Sequence, residues 1–226
     1  MMRIPKVLIQ LMIGLAILLW LLQLADATNV LTSISMVDPL YLAVATIAFL
    51  FLGASMLSAP WFSWSRSALS NLGYALKRET AVTFNFGLAI SGLTVAIYSV
   101  TSLMDRARFS AIFLSATSFT LQLIAVFDEI YGQIHMAVST VFFTPLLIST
   151  LIYAIEKRSR LAGASFMIGL SAWLLYWTEA YKAGVAAPEM ISSSAAALWI
   201  IKSAIEKDLS LRYLCLEMFM DTKTFL

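Results

Sequence analysis

The sequence predicts an all-α fold: a polytopic transmembrane helix bundle of about seven helices, a six-helix core preceded by one N-terminal helix. Three observations carry this. The 226 residues are 61% hydrophobic and 12% charged, with a mean hydropathy of +0.87. Soluble domains carry roughly 25% charged residues, and half that fraction cannot clothe a globule of this size in a water-compatible surface. Apolar runs near the length a spanning helix needs, about 20 residues, recur along the chain with short polar interruptions. At that rate the length holds six or seven spans and no sizeable soluble domain.

The elements follow in order. Segment one, residues 7–24, is a continuous apolar run after Arg3 and Lys6. Ala25-Asp26-Ala27 has the shape of a signal-peptidase site, but the apolar core exceeds the usual h-region of about 7–15 residues, which favours a retained helix. Segment two is 39–57, closed off by Pro60. The longest loop, 58–80, carries Trp61, Phe62, Trp64 and Tyr74, rings suited to the membrane interface, so it is expected to lie partly on the membrane as a short helix or turn. Segments three, 81–103, and four, 109–127, are plain apolar runs. Segment five, 135–155, has Pro145 near its middle, where a kink is expected. Segment six, 162–180, carries Trp173, Tyr176 and Trp177, with Tyr181 just beyond. Segment seven, 189–201, is rich in small residues, Ser192-Ser193-Ser194-Ala195-Ala196-Ala197, and so is expected to pack inside the bundle. A mixed tail of weak periodicity follows to Leu226, with a short surface helix as its expected form. The expected organisation is thus 1–38 for the first helix and its loop, 39–205 for the six-helix core, and 206–226 for the tail.

Composition removes several function classes. The net charge of +2 is scattered, with no basic patch for nucleic acid and no acidic tail. Cys215 is the single cysteine, so an internal disulfide is impossible and Cys/His zinc sites of the usual spacing are absent. His135 is the single histidine, which excludes a bis-histidine haem within one chain. No cofactor is specified by any residue pattern.

With seven spans, the N-terminus shares a face with loops two, four and six. That face holds 6 basic residues and the other holds 9 of the 15. The positive-inside rule then puts the C-terminus in the cytoplasm, whereas Arg3, Lys6 and Asp26 around the first helix argue the reverse. In either orientation, the unusual polar residues gather at one end. Loop two supplies Ser67, Ser70 and Asn71, and segment three adds Thr83 and Asn85 at its start. Loop four, Asp128-Glu129-Ile130-Tyr131-Gly132-Gln133, leads straight to His135, while Thr178-Glu179 and Glu189 flank loop six. The opposite end has basic loops, 105–108 and 156–160, that read as solvated anchors.

Ionisable groups at membrane depth are costly and point to function. The functional reading is a polar pocket opening to one face. His135 would be a general base or proton relay oriented by Asp128 or Glu129, with Ser70 as a nucleophile. Asp128, Glu129, Glu179 and Glu189 would alternatively offer hard oxygen ligands to calcium or magnesium. Each residue also has a plainer role. Asp128 and Glu129 would form a solvated helix end, and Glu189 after Pro188 a first-turn acid favoured by the helix dipole. Glu179 would have Lys182 as a snorkelling partner. Asn85 would hydrogen-bond between helices, and His135 would pack at a helix start. Ser70 and Asn71 would make a turn with Gly73 at a positive φ.

The stretch Ser67-Ala68-Leu69-Ser70-Asn71-Leu72-Gly73, then Phe84-Asn85-Phe86-Gly87-Leu88 and Gly92, resembles an archaeal and bacterial membrane family, domain of unknown function 998. That family shows an L-S-x-L-G loop and an F-N-x-G-L helix start. Its acidic-glycine loop leading to a histidine is matched by Asp128, Gly132 and His135, and its I-P-E-like start to the last helix by Pro188-Glu189. It often has aspartate where Asn71 stands. The resemblance covers roughly residues 40–203 and implies a six-helix core in a membrane, without an activity.

The expectation is therefore a multi-pass protein of the cell membrane with a polar, lipid- or ligand-binding pocket at one face. Asn71, Asn85, Glu129, Glu179 and Glu189 would be its binding residues. The rivals are an intramembrane lipid hydrolase or transferase using Ser70, His135 and Asp128, a transporter, and a structural subunit of a membrane complex. Whether the chain is an enzyme stays open. The partner the sequence names is the lipid bilayer, with a lipid or small ligand besides; protein partners are not specified.

Overall fold

The computed structural model describes residues 39–180 and 182–223. Segment one, with all of 1–38, and Tyr181 lie outside the described residues. Six α-helices are present among them: α1 (Pro39–Leu57), α2 (Arg78–Tyr98), α3 (Arg108–Val126), α4 (Gln133–Glu156), α5 (Arg160–Trp177) and α6 (Ala186–Lys223). No strand occurs among the described residues, and the all-helical expectation holds. Residues Pro39–Ala204 form one compact unit, and the packing and the site described below belong to it.

Among the described residues, three stretches are long and apolar enough to cross a membrane by length and composition: Ala75–Leu103, Arg108–Val126 and Gln133–Glu156. Thr46–Leu57 is a shorter apolar stretch. Many large side chains on the outer faces are apolar and exposed, among them Leu50, Val82, Phe119 and Ile155. A bilayer accepts such a surface and water does not.

The helix ends have local causes. Pro39 opens α1, where a missing N–H costs nothing. Ser159 caps α5 by accepting from Ala162 N–H at 3.3 Å. α4 and α5 both end in the paired hydrogen-bond pattern of a Schellman turn. Ser159 N–H reaches Ala154 O and Ala180 N–H reaches Leu175 O, each at 3.0 Å. Arg158 and Glu179 occupy the left-handed positions of these turns, with φ of 48° and 53°, where glycine is the usual residue. Pro145 sits inside α4, which continues through it. α2 passes into a π-turn at Ser99–Leu103. The last helix outruns its sequence-based boundary: α6 continues through the mixed segment to Lys223 rather than ending near residue 201.

Helices adjacent in sequence pack together: α1 on α2, α2 on α3, α3 on α4, and α4 on α5. α6 supplies the centre. Trp199, 1% exposed, stacks on Tyr153 with ring centroids 4.5 Å apart, and its Nε1–H donates to Thr150 Oγ1 at 2.9 Å. Tyr98 O–H donates to Ser203 Oγ at 2.8 Å. Ala195, Ala196, Ala197 and Ala204 are buried, so α6 packs inside, as its small residues predict. Lipid tails are as apolar as leucine, so close backbone approach and interhelical hydrogen bonds hold such a bundle, the latter averaging about 0.6 kcal/mol each.

The end bearing the basic loops contains a fastening the sequence does not suggest. Glu156, read as part of a solvated anchor, instead caps another helix. Its carboxylate accepts from Phe109 N–H and Ser110 N–H, each at 3.0 Å, and from the Ser110 hydroxyl. These are the second and third residues of α3, whose own N-cap, Ala107, has no side chain to offer.

Candidate functional site

The loop between α1 and α2 plugs the opposite end of the unit. It forms two 3₁₀ turns, Leu69–Gly73 and Ala75–Lys77. Ala59, Phe62, Leu69 and Leu72 are buried with Phe84 and Ala186, against Leu52, Met56, Leu88 and Met190. Leu72 is fully buried. Trp61 remains exposed and receives Lys77 Nζ over its ring at 4.9 Å.

Folding a loop into the bundle buries backbone N–H and C=O groups, and each must find a partner. The polar residues of this end supply them. Glu189, in the first turn of α6, accepts Leu69 N–H through Oε2 at 2.6 Å. Asp128 accepts Ala75 N–H through Oδ2 and Ile130 N–H through Oδ1, each at 3.0 Å. Asn71 accepts Ala68 N–H through Oδ1 at 2.7 Å and donates its amide to Glu129 Oε1. Asn85 donates to Gly73 O at 3.0 Å. Gly73 is needed for space: a Cβ there would strike Asn85 Oδ1 and come within 2.8 Å of Phe84 Cδ1. The positive φ expected at Gly73 is absent; among glycines of the described residues it belongs to Gly132.

A second seam holds the same loop to the α5–α6 connection. Gly184 N–H donates to Trp64 O at 2.9 Å and Ala186 N–H to Ser67 O at 3.0 Å. The two backbones lie so close that a Cβ on Gly184 would stand 2.5 Å from Ser67 O and 3.0 Å from Arg66 N.

His135 is buried at the junction of α3 and α4. Its Nδ1 is 2.8 Å from Phe127 O, a carbonyl that only accepts, so Nδ1 carries a proton. Its Nε2 lies 3.4 Å from Ser139 Oγ. No hydrogen bond joins Ser70 to His135 or Asp128: both Asp128 oxygens go to backbone N–H groups, and both His135 nitrogens have the partners named. Glu179 stands apart from the cluster, exposed at the left-handed end of α5. Asp128, Glu129, Glu179 and Glu189 do not converge, and no group of three potential metal ligands occurs among the described residues.

Beneath the plug lies a cavity of about 160 Å³. Leu52, Leu88, Leu121, Phe142, Phe143 and Leu146 contribute to its apolar wall. The α6 wall is one face of a helix, Glu189, Met190, Ser193, Ala196, Ala197 and Ile200, at the three- and four-residue spacing that aligns side chains. Polar liners divide into two kinds. Ser91, Thr117 and Ser118 turn their hydroxyls back to carbonyls of their own helices, Gly87 O, Phe113 O and Ser115 O. Ser70 and Ser193 have no hydrogen-bond partner among the described residues, and neither has Glu189 Oε1. Ser139 lines the cavity too and links it to His135. Sequence reasoning missed Ser193 and Ser139. The signal for Ser193 was its spacing, four residues after Glu189 on the same helix face.

The residues that meet around Leu69–Gly73 come from four separated stretches: the loop itself, Asn85, Asp128-Glu129 and Glu189. A family model, "Protein of unknown function (DUF998)", matches residues 40–206. The chain belongs to the DUF998 family. DUF998 carries no described activity, and its placement agrees with the apolar, all-helical unit seen here. No curated protein and no solved structure gives a match. The sequence stretches in which the DUF998 resemblance is visible are joined in space. Leu72-Gly73 lies against Phe84-Asn85, Asp128 holds Ala75 in the following turn, and Glu189 holds Leu69.

Proposed function

We propose that the chain is a multi-pass protein of the cell membrane whose six-helix unit binds the apolar portion of a lipid-like amphiphile, with its polar end beneath the 58–77 plug. One observation carries this reading: a cavity of about 160 Å³, apolar along most of its wall, is lined by three polar groups with no hydrogen-bond partner among the described residues, Ser70, Ser193 and Glu189 Oε1. A cavity of about 150 Å³ accepts a ring the size of benzene, so this one suits a chain segment or ring rather than a whole phospholipid. Small-ligand sites have this constitution, an apolar wall with a few convergent polar groups. In this reading Ser70 and Glu189 face the guest. Asn71, Asn85, Asp128, Glu129 and His135 hold the loop and helix ends that roof it.

The test is a cavity-filling substitution. Ala196→Phe places a ring in the space without touching the plug. Wild-type protein and variant are purified from the same membranes, matched by thermal unfolding, then extracted and compared by lipid mass spectrometry. The wild type is expected to carry a bound amphiphile, near one per chain, that the variant lacks. Identical extracts from two equally folded proteins would refute the reading.

A further inference from the structure

Resting on that reading of the cavity, we infer that the amphiphile it selects carries a hydrogen-bond-donating cationic head, a primary amine on a single chain, seated on Glu189 Oε1 with the hydroxyls of Ser70 and Ser193.

The argument starts from what the site offers. Among its lining residues Glu189 is the one ionisable side chain; every other liner is apolar or a hydroxyl. Glu189 is 7% exposed. Leu69 N–H occupies Oε2, and Oε1 receives no hydrogen bond from any described residue. A carboxylate withdrawn from water needs a counter-charge or a full set of donors, and Glu189 has one donor. Ser70 follows the residue Glu189 pins, and Ser193 lies one helical turn along α6 on the same face. Both hydroxyls can accept while donating elsewhere. An ammonium has three donors and no acceptor, which matches one carboxylate oxygen and two hydroxyls.

Charge around the site points the same way. Glu129 is near enough to Glu189 to repel it electrostatically, and it draws on the Asn71 amide rather than on a cation. No lysine or arginine lines the cavity. A carboxylate or phosphate head would meet Glu189 with no base to hold it. An alcohol head would satisfy one hydrogen bond and bring Glu189 no counter-charge.

The experiment uses the full chain in nanodiscs and three probes of equal chain length: octylamine, octanol and octanoate. Binding is read by competition against a fluorescent apolar probe. Octylamine is expected to bind at least tenfold tighter than octanol, and octanoate weakest. Glu189→Gln keeps an oxygen for Leu69 N–H and so keeps the plug. It is expected to reduce octylamine to the level of octanol without weakening octanol. Ser193→Ala, which leaves the plug untouched, is expected to weaken octylamine severalfold. Equal binding of the three probes, or a preference for octanoate, overturns the amine assignment while the cavity reading stands. Failure of all three to bind, matched by no effect of Ala196→Phe, removes the cavity reading and this inference together.

Discussion

Removing the Glu156 side chain should destabilise the protein far more than its place in a basic loop suggests. Glu156 holds the first turn of α3 through Phe109 N–H, Ser110 N–H and the Ser110 hydroxyl. In Glu156→Ala the Phe109 N–H, near the surface, regains water, and losing a cap of this kind costs about 1 kcal/mol. Ser110 is different. It is fully buried, and an orphaned buried donor costs about 1–3 kcal/mol. The expected loss is therefore about 2–4 kcal/mol, with Glu156→Gln losing roughly half because one amide oxygen still accepts. Glu79, also acidic and in a helix first turn but exposed, is the control, and Glu79→Ala should stay within about 0.5 kcal/mol of wild type. Unfolding in mixed micelles, followed by tryptophan fluorescence, measures all three. If Glu156→Ala matched Glu79→Ala, the cross-helix cap would not hold α3, and Glu156 would be no more than a solvated anchor.

Two further outcomes test the plugged end and the helix termini. Gly184→Ala forces a Cβ against the Arg66–Ser67 backbone and should break the seam to the 58–77 loop. Limited trypsin digestion in nanodiscs should then cut at Arg66, Lys77 or Arg78 at least tenfold faster than in wild type, while an unchanged rate would show that the seam does not restrain the loop. Glu179→Gly relieves a left-handed residue at the end of α5 and should stabilise by about 1 kcal/mol, as a rise in the thermal midpoint. A fall there would mean that the exposed carboxylate does structural work its surroundings do not reveal.

The helices were readable because apolar runs and their breakers are local. Pro39 and the run to Leu57 mark α1, and the boundaries of α2 to α5 fall within a few residues of the apolar segments. Loop parity brought Asn71, Asn85, Asp128, Glu129 and Glu189 to one end without any knowledge of packing. What parity cannot reveal is how those atoms are used. Asp128 turns both oxygens to backbone N–H groups and Asn71 divides its amide between Ala68 and Glu129, because a loop pressed into the bundle exposes donors that only tertiary contact creates. The α6 boundary differs for the opposite reason: the weak periodicity after residue 201 suggests a separate short helix in the tail, whereas one helix runs on to Lys223. Glu156 was misread because its partners lie 46 and 47 residues away, and no periodicity links a carboxylate to another helix's first turn.

The bond between Glu189 and Leu69 spans 120 residues of chain, and it has a consequence for synthesis. The plug precedes α2, so it leaves the ribosome before most of the bundle it closes. Its first turn cannot be completed until the start of the last helix arrives. Until then Leu69 N–H lacks its acceptor and the α6 wall of the cavity is missing. The interior therefore lacks its α6 wall through most of membrane insertion, and the final helix completes both the plug's first turn and the cavity lining.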